Sequence, residues 1–213
     1  MTAARPPGPK GRRYAYLVAS AMSLFVLLAC AAFAWRGLHA SATLDYPKTS
    51  SQGVRCALVR DDAGNQPVRC AAVIDASPDA VWSVVTDYAH FGEIFETRLW
   101  KVTVESQSLE TDGRTHLRGN VVAPYATYPF DVRITHELAA EKKRAAWDES
   151  DSDGNRTRGS WTVTPASDGH ALVVYEQEVR ARRAPRLVVV NLLLAQLGGA
   201  VKRIGTRVSS GKP

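Results

Sequence analysis

Six strand-like segments follow one another in the middle of the chain, and one long apolar segment comes after them. Short polar turns rich in glycine, aspartate and serine separate these segments, which is typical of an antiparallel meander. The predicted strands run over residues 98–106, 114–123, 129–139, 144–150, 157–165 and 171–179. An antiparallel sheet with an apolar face needs a cover, and residues 186–208, predicted to form a long helix, can provide it. We therefore expect an α+β fold.

A helix is predicted before this series of strands. Ser77 is a suitable N-cap, Pro78 suits the first helical position, and Asp79 lies in the first turn, where it favours the helix dipole. We expect this helix to end near Asp87 and a short second helix to cover about residues 90–95.

Two further strands, 54–60 and 68–74, are predicted at the start of this domain, and each contains the triplet Val-Arg-Cys. The segment between the two cysteines includes 61–65, which has the composition of a turn. A hairpin closing there places Cys56 opposite Cys70, and a disulfide is plausible in an oxidising compartment. The alternative is that both are unpaired small residues. These two cysteines and the scattered histidines form no compact set of metal ligands, so no metal is expected.

An uncharged run of 22 residues, 14–35, lies near the N-terminus. As a helix it would be about 33 Å long, enough to cross a bilayer core. Four cations precede the run and only Arg36 follows closely, so the positive-inside rule places residues 1–13 in the cytoplasm. The polar segment 36–52 then acts as a tether for a domain on the outer or periplasmic side of the cell membrane.

Three alternatives compete with a retained single-pass anchor, and all of them also export the domain. A signal peptide can be cleaved after Ala34, since Ala-Phe-Ala ends there. The segment Leu-Leu-Ala-Cys resembles a bacterial lipobox with Cys30 as the lipidated residue. Arg12 and Arg13 resemble part of a twin-arginine signal, although the residues after them fit that pattern poorly.

The net charge of +6 is concentrated at the two ends of the chain. Residues 1–13 carry four cations and no acid, and residues 180–213 carry eight cations and no acid, so the body between them has a net charge of −6. A nucleic-acid-binding domain carries its positive charge on a folded face. Basic ends beside apolar stretches instead suit an anionic membrane surface, so that surface is an expected partner and nucleic acid is not.

The segment Val73–Phe91 resembles the opening of START-like domains, in particular the polyketide cyclase / coenzyme Q-binding START group of the SRPBCC superfamily. The resemblance rests on the strand, the Asp-Ala-Ser-Pro helix start, the Val-Trp pair and Asp87-Tyr88. The order of elements over about residues 54–208 matches as well. The sequence departs from the usual pattern at Glu96, where many relatives have a proline, and in adding a first strand and an exported tether.

The resemblance implies a helix-grip fold, in which a strongly curved antiparallel sheet wraps the C-terminal helix and leaves a deep hydrophobic cavity. We place this domain at 53–208, followed by a tail at 209–213. Members of the superfamily bind lipids, isoprenoid quinones, polyketides or hormones, and some are enzymes.

Alternation along the strands indicates which side chains face such a cavity. The candidates are large and apolar or aromatic, as a site for an apolar ligand requires. They are Trp100, Val102, Phe130, Val132, Ile134, His136, Trp147, Trp161 and Tyr175 from the strands and Leu194 from the last helix. The alternative is that they only pack the core. His136 is the one titratable group on an apolar face and is either a core histidine or a polar anchor for a head group or quinone carbonyl.

No catalytic set is apparent, and no cofactor is expected. The sequence has no Gly-x-Ser-x-Gly motif and no phosphate-binding loop, and the glycines at 198–199 lie inside the last helix, as a hinge or for close packing. The favoured hypothesis is a membrane-tethered module that binds a lipid, an isoprenoid quinone or a similar hydrophobic small molecule. The alternatives are a cyclase- or hydrolase-like enzyme using His136 or Tyr175, and a structural or interaction domain without a ligand.

Overall fold

The computed structural model describes residues 43–97, 101–123, 126–150, 154–182 and 185–211. The chain divides into two units, Met1–His39 and Ala40–Pro213, and every described residue belongs to the second unit. The basic flank, the apolar run with Cys30, and the first part of the tether therefore lie outside the described residues.

The described residues form eight strands and three α-helices. The strands are β1 (Arg55–Leu58), β2 (Val68–Ile74), β3 (Lys101–Leu109), β4 (Thr115–Ala123), β5 (Ala126–Ala139), β6 (Lys142–Ser150), β7 (Arg156–Pro165) and β8 (Ala171–Arg180). The helices are α1 (Pro78–Val85), α2 (Phe91–Phe95) and α3 (Arg186–Ser209). Short 3₁₀ turns cover Ser50–Gln52, Tyr88–His90 and Ser167–Gly169.

The strands in this part of the chain form one curved antiparallel sheet in the order β1-β2-β8-β7-β6-β5-β4-β3. Strand β5 pairs with β4 over 126–134 and with β6 only over 135–139. Near Pro129 it therefore has a paired neighbour on one side only, which is why a proline is tolerated there. This division lets the two parts of the sheet curve around α3, and the α+β helix-grip architecture expected from sequence is confirmed.

The predicted strands and helices are present with small differences in their bounds. Strand β3 extends to Leu109 because a bulge between Val104 and Ser106 resets its pairing with β4. Helix α1 begins at Pro78, and the Ser77 hydroxyl accepts a hydrogen bond from the Ala80 amide, as its sequence predicted. The helix ends at Val85, two residues earlier than expected, with Thr86 as its C-cap.

The disulfide expected between Cys56 and Cys70 is present, and the two residues are directly opposite each other in the β1–β2 pairing. It lies under α3, since a Cβ at Gly198 would be 3.2 Å from the Cys56 sulfur. Helix α3 runs without interruption through this position. The glycine at 198 therefore serves close packing between the helix and the hairpin.

Helix α3 covers the concave face of the sheet and packs on β1, β2 and β8 as well as on α1 and α2. Its buried residues recur every three or four positions, which places them on one face. They are Val189, Val190, Leu193, Leu197, Ala200, Val201, Ile204 and Arg207. By length and composition alone, α3 is also the one helix among the described residues that could cross a membrane. Its packed face is that of a core helix.

Arg207, near the C-terminal end of α3, is only 8% exposed. Its guanidinium lies 2.6 Å from the Asp87 carboxylate and 3.2 Å from that of Glu93. It therefore joins α3 both to the segment between α1 and α2 and to α2 itself. Arg203, one turn earlier, donates a hydrogen bond to the carbonyl of Ile94. Two of the eight cations in the basic C-terminal segment are therefore used in contacts inside the protein.

Replacing Asp87 by Asn is expected to destabilise the fold by about 2 kcal/mol, because it leaves the buried Arg207 without its nearer carboxylate. The matched control is Glu93→Gln, whose more exposed carboxylate is expected to contribute less than about 1 kcal/mol. Urea unfolding of the two variants measures the difference. Equal stabilities would contradict the role given to Asp87.

Candidate functional site

A cavity of about 400 Å³ lies between the concave face of the sheet and the N-terminal half of α3. Its lining comes from all parts of the fold. From β3, β4 and β5 come Val102, Leu117, Val121, Tyr128, Phe130, Val132 and Ile134; from β6, β7 and β8 come Trp147, Thr157, Tyr175, Gln177 and Val179; and from the helices come Phe91, Phe95, Val189, Leu192, Leu193 and Gln196.

The described lining contains no charged side chain and no histidine. This follows from the two-residue period of the strands, which sends the charged residues to the convex face. Glu176, for example, pairs there with Arg69, while its neighbours Tyr175 and Gln177 face the cavity. An ion entering such a cavity would lose its hydration without gaining a counter-charge, so the cavity favours uncharged groups.

Aromatic rings form the wall beneath the cavity. Tyr175 stacks on Trp161 with ring centroids 3.9 Å apart, and Trp147 lies 6.1 Å from Tyr175 on the other side. Gly159 is directly opposite Trp147 on the neighbouring strand, and a Cβ there would be 2.5 Å from the indole. The glycine thus lets the Trp147 ring lie close to the sheet, which keeps the space above it open.

Three polar side chains on β7 and β8 break this apolar surface. The Tyr175 hydroxyl donates a 2.9 Å hydrogen bond to Oε1 of Gln177, and Nε2 of Gln177 donates to the Thr157 hydroxyl oxygen at 3.4 Å. Burial raises the pKa of Tyr175. The phenol therefore stays neutral and keeps its proton for this hydrogen bond.

The cavity opens to solvent beside the N-terminal part of α3. Tyr128 on β5 and Leu192 on α3 both line the cavity, and they are 60% and 40% exposed. Val188, one turn before Leu192, is 41% exposed. These three residues, Tyr128, Val188 and Leu192, are called the mouth residues below. A large apolar side chain at the surface is common, but three beside an opening to an apolar cavity form a distinct patch.

Comparison with known proteins identifies the family. Residues 66–208, about two thirds of the chain, match the model of the family described as "Polyketide cyclase / dehydrase and lipid transport". The chain belongs to this family. A search of curated proteins found no significant sequence match.

Solved structures with the same START-like fold include two lipid-transfer proteins. A fragment (25–204) of the STAR-related lipid transfer protein from Xanthomonas axonopodis has a TM-score of 0.58 at 16% identity, covering 78% of this chain and 98% of its own. The lipid transfer and protein localization domain of human StarD13 has a TM-score of 0.56 at 15% identity, covering 86% of this chain and 95% of its own. At these identities the likeness establishes the fold.

Most of the residues predicted to face the cavity of this START-like domain do line it. These are Val102, Phe130, Val132, Ile134, Trp147 and Tyr175. Trp100 lies outside the described residues. Three other candidates are placed elsewhere, for different reasons.

Trp161 is on the predicted face but only 1% exposed, beneath Tyr175, because alternation fixes the face of a side chain and not its depth. Leu194 packs on the core beside the cavity, since the cavity face of α3 carries Leu193 and Gln196 instead. Sequence reasoning also missed Gln177 and Thr157, although both follow the alternation pattern, because they are polar.

His136 is the third misplaced candidate, and the structure places it in a core interaction. Its Nε2 atom and the Tyr88 hydroxyl are hydrogen-bonded at 2.8 Å, and its ring lies nearly perpendicular to that of Trp82. Burial raises the pKa of Tyr88 and lowers that of His136, so both are neutral near pH 7. His136 thus joins β5 to the segment after α1 and does not line the cavity.

The described residues do not bring together a catalytic set. His136 and Tyr175, the two acid/base candidates, are in separate hydrogen-bond groups. No group of three or more His, Cys, Asp or Glu side chains in the described ranges is arranged to hold a metal ion. The site is therefore chemically an apolar cavity, open to solvent at the mouth residues, with a polar wall on β7 and β8.

Acid is expected to destabilise the fold through His136. Because burial lowers its folded-state pKa below the ordinary value of 6.5, the unfolded chain takes up the proton first as the pH falls. This stabilising contribution is complete above pH 6.5 and is lost below it. His136→Gln keeps a hydrogen-bond acceptor for Tyr88 and does not titrate, so its urea midpoint is expected to fall less than that of the wild type between pH 7 and pH 5.

The control for this comparison is His170→Gln, which replaces a partly exposed histidine near the β7–β8 turn. This variant is expected to keep the acid sensitivity of the wild type. If His136→Gln were as acid-sensitive as the wild type, burial of a neutral His136 would not be the cause.

Proposed function

We propose that this protein is a membrane-tethered binding protein that takes an uncharged hydrophobic molecule, such as a lipid or an isoprenoid quinone of the coenzyme Q type, into its START-like cavity. The observation that carries this proposal is the charge-free cavity of about 400 Å³ with an apolar mouth. The names of the fold relatives, which include lipid-transfer proteins, agree with it. The family description includes lipid transport as well.

The size of the cavity favours a ligand over a purely structural domain. Ligand sites are typically about 300–1,000 Å³, and protein cores otherwise pack with few voids larger than a water molecule. A cavity lined by Phe130, Val132 and Leu193 gains little from water, because it offers few hydrogen bonds. An apolar ligand supplies the missing packing contacts.

The surroundings of the mouth support its placement against an anionic bilayer. Arg186 lines a smaller cavity of about 300 Å³ that shares Val179, Val189 and Leu193 with the main one. Arg180 also lines the smaller cavity, where it pairs with Glu178. Arg186 is exposed and donates a hydrogen bond to the neutral side chain of Gln66. Cations beside exposed apolar residues favour contact with anionic head groups and the acyl boundary.

The uncharged run 14–35 supports the tethering part of the proposal. With the N-terminus in the cytoplasm, a retained helix at 14–35 would hold the domain on the outer or periplasmic face, and the polar tether would keep the mouth within reach of that membrane. An apolar ligand would then pass between bilayer and cavity over a short path.

Filling the cavity is expected to abolish ligand binding without unfolding the domain. Val132→Trp places a large ring in the cavity from β5, while the control Thr135→Trp places the same ring on the exposed convex face of that strand. The test uses residues 40–213, with cooperative urea unfolding as the check of folding, and analyses organic extracts of the purified proteins by mass spectrometry. We expect an apolar molecule with the wild type and with Thr135→Trp, and a loss of at least 10-fold with Val132→Trp. Equal amounts in all three proteins, or none in the wild type after incubation with membrane lipids, would contradict the proposal.

The mass of the mature N-terminus distinguishes a retained anchor from its alternatives. A retained anchor leaves residues 1–35 in place, cleavage after Ala34 leaves Trp35 as the first residue, and lipidation leaves a modified Cys30 at the start. We expect the intact segment, in a membrane fraction that alkaline washing does not release. A mature chain beginning at Trp35 or Cys30 would remove the transmembrane part of the proposal and keep the exported domain.

A further inference from the structure

The polar side chains inside the cavity are concentrated on one wall. Gln177 faces Gly159 on the neighbouring strand, and Thr157 and Tyr175 lie two residues away from this pair along β7 and β8. All three polar residues therefore point to the same side of the sheet, and all three line the cavity. The rest of the described lining is apolar apart from Gln196 on α3, so this wall carries most of the hydrogen-bonding groups that a ligand can meet.

The hydrogen bonds of this wall run in one direction. The Tyr175 hydroxyl donates to Gln177 Oε1, and Gln177 Nε2 donates to the Thr157 hydroxyl oxygen. Turning the Gln177 amide over would leave the phenol proton of Tyr175, which is only 2% exposed, facing another donor. A buried donor without an acceptor is costly, so the observed orientation is the favoured one.

Two donor protons on this wall are available to a ligand. The Gln177 amide has a second N–H, and the Thr157 hydroxyl has its own proton. Within the part of the chain that the structure describes, neither proton is donated to a protein acceptor. Two neighbouring donors therefore face an apolar cavity that has no cation to balance a carboxylate or phosphate.

We infer that Thr157 and Gln177 form the recognition site for an uncharged hydrogen-bond acceptor, a ketone, quinone or ester carbonyl oxygen, on the bound molecule. This inference rests on the proposed function and narrows the ligand class. Hydrocarbons without a carbonyl leave the two donors unpaired, and carboxylates and phosphates lose their hydration without gaining a counter-charge. Tyr175 acts as a positioning residue, because its hydroxyl fixes the orientation of the amide.

Benzophenone is a suitable probe, because it is uncharged, it carries one carbonyl, and it attaches to nearby C–H bonds on irradiation. The full chain in detergent micelles is titrated with benzophenone carrying a ¹³C carbonyl. Irradiation and peptide mass spectrometry report whether the probe occupies the cavity. The infrared band of the carbonyl reports whether it accepts a hydrogen bond, since such bonding moves the band to lower wavenumber.

Four variants separate the donors from the rest of the cavity. Thr157→Val removes the hydroxyl at nearly constant shape, Gln177→Leu removes the amide, and Thr157→Ser restores the hydroxyl. Thr162→Val makes the same change as Thr157→Val on the other face of β7, away from the cavity. Urea unfolding of each variant shows whether it is folded. Diphenylmethane, with a methylene in place of the carbonyl, is the matched ligand control.

With the wild type we expect labelled peptides from the cavity strands and a second carbonyl band at lower wavenumber. Thr157→Val should weaken this band and lower benzophenone affinity by about 3- to 10-fold, the net worth of one neutral hydrogen bond, with diphenylmethane affinity unchanged. Thr157→Ser and Thr162→Val should behave as the wild type.

Two outcomes overturn the inference and are distinguishable. If the cavity peptides are labelled but the band is unshifted, or its shift survives in both Thr157→Val and Gln177→Leu, the cavity binds apolar molecules and the carbonyl assignment is wrong. If no cavity peptide is labelled and diphenylmethane does not bind, the proposed function fails as well.

Discussion

The contact between α3 and the concave face of the sheet is the interaction on which the rest of the structure depends. It is uneven along the helix. In the C-terminal half, Leu197, Ala200, Val201 and Ile204 are completely buried, and Arg207 ties the end of the helix to Asp87. In the N-terminal half, Val189 and Leu193 face the cavity and retain some exposure. The C-terminal half of α3 thus stabilises the fold, and the N-terminal half covers the cavity.

This division explains how a domain of this size can be stable although it contains a large cavity. Small cavities in a packed core are destabilising because the surrounding side chains lose contacts. The tightly packed half of α3, the disulfide beneath Gly198 and the stacked pair Trp161–Tyr175 supply stabilisation away from the cavity. The side chains that line the cavity can then gain their missing packing contacts from a ligand. With an apolar lining of this kind, the affinity for a ligand depends on the apolar surface that the ligand buries. The few polar groups of the lining determine which ligands are preferred.

The sequence predicted the fold well because its signals are local. Alternation and Gly/Asp turns defined the strands, and Ser77 and Pro78 defined the start of α1. The site was predicted in part, since alternation gives the face of a residue but neither its depth nor its position along a curved sheet. Trp147 and Trp161 have the same character in sequence, yet one lines the cavity above Gly159 and the other lies beneath Tyr175. His136 was misplaced because its hydrogen-bond partner, Tyr88, is 48 residues away in the sequence.

The number of cations near each end of α3 does not show which of them remain free to contact a membrane surface. Both ends are equally basic in sequence, but carboxylates from the α1–α2 region meet Arg207, whereas Arg186 meets the neutral Gln66. Arg186 stays exposed at the N-terminal end, beside the mouth residues, and Lys202 stays exposed at the C-terminal end. A bilayer approached at the N-terminal end would meet the exposed apolar side chains and Arg186 together. The exposed large hydrophobic residues of α3, Val188 and Leu192, both lie at this end, and they give the proposed docking its orientation, with the cavity opening toward the lipid.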